Sequence, residues 1–229
     1  MNEIWILLLL IAISALPVIL VFCFFRLRRS ATAPLSVTPP LFLAALAAGA
    51  VSLLVAALIQ GLFPYSGAGS GGTFPVFYNV FFRIAFIEEL SRIIVLVPLF
   101  AVLKRRRPLD ASFCAALGLT AGLGFAMIES AFYGLADVNI TLLRAFTAAP
   151  LHGACGIRVG AAIFFLTGSG ENRYPVKALF LFVFAVLIHG AYNMIIANPA
   201  LPSLLAVLVA FTALFSSLPF LKVEKNIGE

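Results

Sequence analysis

The sequence predicts an all-α fold: a polytopic transmembrane helix bundle of about seven spans, with the N-terminus outside and the C-terminus cytoplasmic. Three observations carry this. The 229 residues are 63% hydrophobic and only 10% charged, with a mean hydropathy of +1.13, more apolar surface than a water-soluble domain of this length can hide. The apolar runs are continuous and roughly 20 residues long, helix-spanning length, where a transmembrane barrel would show short alternating segments. Finally, the basic residues gather at the ends of these runs, in alternate linkers.

The expected spans cover residues 3–25, 41–63, 75–103, 111–134, 141–167, 178–198 and 203–221, together forming a single integral membrane domain over 1–229. The first, MNEIWILLLLIAISALPVILVFCFF, lacks a basic leader, exceeds the apolar core of a signal peptide and is followed by RLRR. It reads as a retained span with a stop-transfer signal. The second is rich in Ala and Leu. The third carries Glu88, Glu89 and Arg92, the fourth Glu129, the fifth His152 and the sixth His189 and Asn193, while the seventh is plainly apolar.

The linkers supply orientation. Arg26, Arg28, Arg29, Lys104 to Arg107, Arg173, Lys177, Lys222 and Lys225 fall in alternate linkers, and the intervening linkers hold no Lys or Arg. With an odd number of spans, that pattern places the N-terminus outside. It also means that the net charge of +6 reflects membrane topology, not a nucleic-acid surface. Arg144, near an outer end, is expected to snorkel. The loop PYSGAGSGGT is a flexible linker or, more sharply, a mobile lid leading into the Glu88 span. Cys23, Cys114 and Cys155 are odd in number, share no motif and lie in or near apolar runs, so they read as buried small hydrophobes.

The residues out of place in lipid are the candidate site. A charge at mid-bilayer costs roughly 2.5–3.5 kcal/mol on insertion scales, so acids and histidines persist there when they face one another or line a wet cavity. Adjacent helical residues point about 100° apart, so Glu88 and Glu89 cannot face one point equally. Arg92 is within reach of both, at i+4 and i+3. One carboxylate is therefore held ionised by Arg92 and the other is left to act as base or ligand. Glu129 is the only acid of its span, and Phe125 lies one turn before it. His152 sits in the small-residue segment HGACGIRVG, which allows close helix approach. His189 and Asn193 share a helical face, so Asn193 can orient the ring or donate to an oxyanion. Taken singly, these groups read as packing ion pairs or interhelical hydrogen bonds. Counted inward from the span ends, however, Glu88, His152 and His189 come out near mid-membrane and Glu129 in the outer half, which suits one water-accessible pocket.

In this order, the motifs E-E-x-x-R (Glu88, Glu89, Arg92), F-x-x-x-E (Phe125, Glu129), His152 in its small-residue helix and H-x-x-x-N (His189, Asn193) resemble the PrsW family of intramembrane proteases, related to the CAAX-protease and bacteriocin-processing superfamily. The resemblance covers about 75–197, the expected catalytic core, and leaves the first two spans and the last outside. Two positions depart from the family pattern: Arg92 stands where Lys is usual, keeping the charge, and Ser130 follows Glu129 where Asn is usual. The resemblance implies peptide-bond hydrolysis in or near the membrane, with a membrane-anchored protein or peptide as substrate. It further implies the plasma membrane of a prokaryote and, for bacterial members, anti-sigma-factor cleavage from the outer side.

Two chemistries fit the residues. In one, Glu88 or Glu89 takes a proton from water, His152 and His189 polarise water or carbonyl, and Asn193 holds the oxyanion. In the other, two His and one Glu bind a metal, with zinc as the candidate cofactor and His152, His189 and Glu129 as candidate ligands. No H-E-x-x-H is present, so the ligands would come from separate helices; the preferred expectation is that no metal is obligatory. Outside the enzyme class, a proton- or ion-coupled transporter uses similar relay residues, although no internal repeat supports it, and a non-catalytic membrane scaffold would not require the set.

Overall fold

The computed structural model describes residues 3–27, 37–63, 65, 73–168, 173–198 and 200–222. Every regular element among them is helical: α1 Glu3–Ser14, α2 Leu16–Leu27, α3 Pro39–Leu62, α4 Thr73–Phe77, a π-helix Tyr78–Phe86, α5 Ile87–Lys104, α6 Ala111–Gly134, α7 Val138–Phe146, α8 Ala148–Thr167, α9 Pro175–Ala197, α10 Leu204–Ser217 and a closing 3₁₀ turn Leu218–Leu221. Five helices are long and apolar enough to cross a membrane (α3, α6, α8, α9, and α10 with its 3₁₀ turn), and the bent α1–α2 pair makes a sixth. The lid loop falls almost wholly outside the described residues, as do Arg28, Arg29 and Lys225.

Two expected spans are broken, each for a proline. Pro17 cannot donate to the Ile13 carbonyl, and α1 and α2 meet at 40° around Ala15. Pro150 likewise leaves the Phe146 carbonyl without its helical donor. The chain breaks at Thr147 (φ −121°, ψ −62°) and restarts as α8 with Pro150 in its first turn, where a missing N–H is tolerated. The third expected span runs on from Thr73 to Lys104, but residues 78–86 widen into a π-helix. Its aromatic rings stack at i, i+4 spacing, Phe77 on Phe81, Tyr78 on Phe82 and Phe82 on Phe86. The widened turns lie immediately before Glu88, and π-turns frequently accompany functional sites.

The bundle is built around α6 and α8, whose most apolar windows are each 83% buried; the corresponding figures are 33% for α3 and 28% for α9. Glycine decides this packing. A Cβ on Gly118 would strike the Gly156 carbonyl, one on Gly122 the His152 carbonyl and one on Gly160 the Cys114 carbonyl. The α6 and α8 backbones therefore touch, as small-residue seams allow inside membranes. On its other side α6 meets α3, where Gly49 abuts Ala121 and Gly124 abuts Leu46. Outward faces carry bare apolar side chains such as Leu54, Leu58 and Phe180, a surface suited to lipid and not to water. Cys114 and Cys155 are buried as expected, whereas Cys23 is exposed on that outer surface.

Arg158 is buried in α8, where its guanidinium donates to the Ala154 and Ala213 carbonyls and to Ser216 Oγ at 2.7–3.1 Å. It thus ties α10 to α8. Arg83, in the π-helix, donates to the Phe63 carbonyl at 2.9 Å and the Gln60 carbonyl at 3.4 Å, satisfying the open end of α3.

Candidate active site

The acids and histidines from four helices meet in one buried cluster. Glu88, Glu89 and Arg92 come from the first two turns of α5, Glu129 from α6, His152 from α8 and His189 from α9. The seams described above place them. Gly122 lets the His152 carbonyl close on α6, and Gly190, next to His189, lies against the Phe81 ring of the π-helix. Counted along each helix from the end that carries or adjoins basic residues, the groups lie roughly 21–27 Å in at 1.5 Å per residue. This is a shared depth among the helices.

Glu89 and Arg92 have no exposed surface and form an ion pair through Oε2. The other Glu89 oxygen, Oε1, lies 2.8 Å from His189 Nδ1. A carboxylate only accepts, so His189 donates from Nδ1 and its Nε2 lone pair is left open. The second histidine repeats the pattern. Arg144 pairs with Glu129 Oε2, and that oxygen is 3.0 Å from His152 Nε2. Arg92 Nη2 stands 3.3 Å from His152 Nδ1. Because a guanidinium only donates, Nδ1 is the acceptor and Nε2–H points at Glu129. The site thus contains two Arg–Glu–His chains: Arg92–Glu89–His189 and Arg144–Glu129–His152. The two imidazoles meet edge to face with centroids 4.8 Å apart, and the Phe125 ring lies 5.0 Å from His152 and 5.1 Å from the Arg92 guanidinium carbon.

Glu88 belongs to neither chain. Its Oε1 accepts a 3.4 Å hydrogen bond from Gln60 on α3. Its Oε2 is buried without a hydrogen-bond partner and faces His189 Nε2 at 3.6 Å. Two acceptors facing each other in a buried pocket call for a proton donor or a cation between them. Glu88, His152 and His189 each offer a ligand atom within 4.8 Å of the others. A carboxylate and two imidazoles, each imidazole braced through its other nitrogen by a carboxylate, is a donor set that fits a divalent metal such as zinc. His189 Nε2 is open for that role, and His152 Nδ1 becomes open on releasing Arg92.

Several expectations are redrawn by this geometry. The carboxylate with an oxygen within 4.8 Å of a nitrogen of each histidine is that of Glu88; Glu129 lies between His152 and Arg144, in contact with both. Of the adjacent acids, Glu89 is the one held by Arg92. The His189 ring is oriented by Glu89, and the Asn193 side chain, half-buried one turn on, makes no hydrogen bond among the described residues. Arg144 does not snorkel: its side chain turns inward, with Nε donating to Ser130 Oγ at 3.2 Å and the guanidinium stacked over Tyr133. Ser130, the departure from the family pattern, thereby takes a defined part in holding Glu129 through Arg144. Cys155 donates toward the Ala185 carbonyl, away from His152. Gln60 was missed, although a signal existed: it is the chain's only glutamine and lies within an expected apolar span.

The sequence profile of the PrsW family intramembrane metalloproteases matches residues 38–218. It extends beyond 75–197 to take in α3 and α10, the helices that supply Gln60 to Glu88 and that receive Arg158. No curated protein and no solved structure matches the chain.

Proposed function

We propose, from the premise that this chain belongs to the PrsW family of intramembrane metalloproteases and is an integral membrane peptidase, that Glu88 is the base that activates water for cleavage of a membrane-anchored protein. The observation that carries this is the unpartnered, buried Glu88 Oε2 facing the open nitrogen of His189. Both Glu89 oxygens are engaged and Glu129 is held by Arg144 and His152 through Oε2, whereas Glu88 Oε2 is the carboxylate oxygen that is buried without a hydrogen-bond partner among the described residues.

These placements support the following hydrolysis. A water between Glu88 Oε2 and His189 loses a proton to the carboxylate as its oxygen bonds to the scissile carbonyl carbon. The proton on Glu88 then passes to the amide nitrogen as the C–N bond breaks, giving a carboxylic acid and an amine. Glu89 and Glu129 hold the imidazole rings in register, which keeps the reacting groups at hydrogen-bond reach. Asn193, one turn beyond His189, is the residue that would donate to the oxyanion that develops on the carbonyl. In a metal-bound form, Glu88, His152 and His189 would hold a zinc ion in place of that water bridge, and the ion would supply Lewis acidity and lower the pKa of water.

The topology that suits this chemistry has seven crossings, namely α1–α2, α3, α4 to α5, α6, α7–α8, α9 and α10, with the N-terminus outside. It is supported by Lys104 at the end of α5, which donates to the Thr167 carbonyl at the end of α8 at 3.0 Å, and by Lys177 at the start of α9, which stacks on Phe165. Basic ends thus gather on one face, which the positive-inside rule makes cytoplasmic. The site then lies in the outer half of the membrane of a prokaryotic cell, the side from which bacterial relatives are expected to cleave anti-sigma factors. The deciding experiment is cleavage of a single-span reporter by purified protein with Glu88→Gln, His152→Ala and His189→Ala. Each variant should insert and fold yet fail to cleave; normal cleavage by all three would sink the proposal.

A further inference from the structure

The two Arg–Glu–His chains are built from unequal parts. In one, all three members lie on the expected catalytic motifs, with Arg92 three residues after Glu89 on the same helix. In the other, the arginine comes from a separate element, the short helix α7, which no motif marks. We propose that Arg144 is a positioning residue for hydrolysis: by holding Glu129 against His152, it fixes that imidazole with its Nδ1 lone pair toward the site and keeps Glu129 from competing with Glu88 for the histidine pair. This rests on the assignment of Glu88, His152 and His189 to the active site.

Four observations carry it. First, the Arg144 guanidinium is fixed from three sides, by Glu129 Oε2, by Ser130 Oγ at 3.2 Å and by the face of Tyr133 with its carbon 4.3 Å from the ring centroid. Second, the same Glu129 oxygen receives both Arg144 and His152, so the guanidinium position sets the carboxylate position and through it the ring. Third, α7 is tied at both ends to the helices that carry the site. Thr141 donates to the Ser130 carbonyl at 3.1 Å, and Tyr192 on α9 donates to Thr147 at 3.0 Å. Fourth, the cluster holds three carboxylates, Glu88, Glu89 and Glu129, against two guanidiniums, Arg92 and Arg144. Without Arg144, two of three buried carboxylates would lack a cation. Glu129, its oxygen released by Arg144, would then be free to turn toward the histidine pair itself.

The break at Thr147 acquires a reason here. A straight helix through residues 138–167 would carry Arg144 along the α8 axis, two turns from His152. With the helix interrupted at Thr147, α7 packs on α6 and Arg144 pairs with Glu129 there.

The test compares reporter cleavage by wild type, Arg144→Met, Arg144→Lys, Thr141→Val, Glu129→Gln and the double variant Glu129→Gln/Arg144→Met. Arg144→Met should lower kcat about 10- to 100-fold, the usual cost of removing an outer-shell partner, with KM within about twofold. Arg144→Lys, which keeps the charge and loses the fork, should recover part of that loss. Thr141→Val, which loosens α7 but leaves the ion pair, should cleave within about threefold of wild type. The double variant should match Glu129→Gln alone, since Arg144 acts only through Glu129. It also guards against misfolding, because it leaves no more carboxylates without a cation than the wild type has. The proposal is overturned if Arg144→Met keeps wild-type kcat, if Thr141→Val loses as much as Arg144→Met, or if the double variant falls about tenfold or more below Glu129→Gln. Full activity of Glu88→Gln and His152→Ala would instead overturn the active-site assignment, so the two failures are told apart.

Discussion

His189 Nδ1 lies 2.8 Å from Glu89 Oε1, and the same histidine turns its other nitrogen toward Glu88. Two consecutive acids therefore contact opposite edges of one imidazole and are left in different states. Glu89 is locked by Arg92 and His189, while Glu88 keeps one oxygen open. Because adjacent helical residues diverge by about 100°, a ring from another helix is needed to bring both acids to one place.

This asymmetry predicts different outcomes for the two isosteric changes. Glu88→Gln should fold normally and lose at least about 100-fold in kcat, the typical worth of a general base. Glu89→Gln should lose stability as well as activity, since it leaves Arg92 buried without its counter-charge. Breaking a buried pair costs about 3–5 kcal/mol. Thermal melting in detergent alongside reporter cleavage separates the two; equal melting temperatures would contradict the assignment.

The Glu88, His152 and His189 group could hold a metal ion, and metal dependence is open to a direct test. Exhaustive treatment with a strong chelator should abolish cleavage, and added zinc should restore it. Metal analysis of purified protein should find about one ion per chain in wild type and far less in His189→Ala. Cleavage that survives complete chelation would leave water activation by Glu88 and His189 as the whole chemistry.

Arg158 is as deeply buried as the site residues, but among the described residues it hydrogen-bonds to α8 and α10 and lies over Phe184 of α9. Arg158→Met should lower stability by about 1–3 kcal/mol for each carbonyl left unsatisfied while kcat stays within about threefold. A selective loss of kcat with unchanged melting would place Arg158 in the chemistry instead.

The glycine seam predicts a stability change coupled to activity. In Gly122→Ala the new methyl group meets the His152 carbonyl, so α8 must move. The expected cost is about 1–3 kcal/mol, with loss of cleavage as His152 shifts. Gly61→Ala, where nothing lies within 4 Å, is the matched control and should leave both unchanged.

Topology is read by labelling single cysteines in a background without Cys23, Cys114 and Cys155. Arg106→Cys should react only with reagent supplied from the cytoplasmic side, and Ala136→Cys only from outside. The reverse pattern would invert the orientation.

The residues of the site were legible because charge in lipid is costly: Glu88, Glu89, Glu129, His152 and His189 stand out against apolar runs wherever they sit. The helical class was legible for the same reason, since continuous apolar length admits little else. The breaks at Ala15 and Thr147 had a visible cause in Pro17 and Pro150, but a proline in an apolar run does not say whether a helix bends, breaks or passes it in its first turn. The π-helix before Glu88 left no such mark, because its stacked rings read equally well as lipid-facing aromatics.

The sequence by itself determined that this protein lies in a membrane and which side chains had to find one another there. Which acid is held and which is free, which carboxylate stands beside both histidines, and the part taken by Arg144 were decided by the tertiary structure. The physical reason is directional: hydropathy and spacing report how deep a residue lies and which face of its own helix it occupies. A hydrogen bond between helices depends on how those helices are rotated and how closely they approach, and here the α6–α8 glycine seam, the Thr147 break and the π-turns before Glu88 set both.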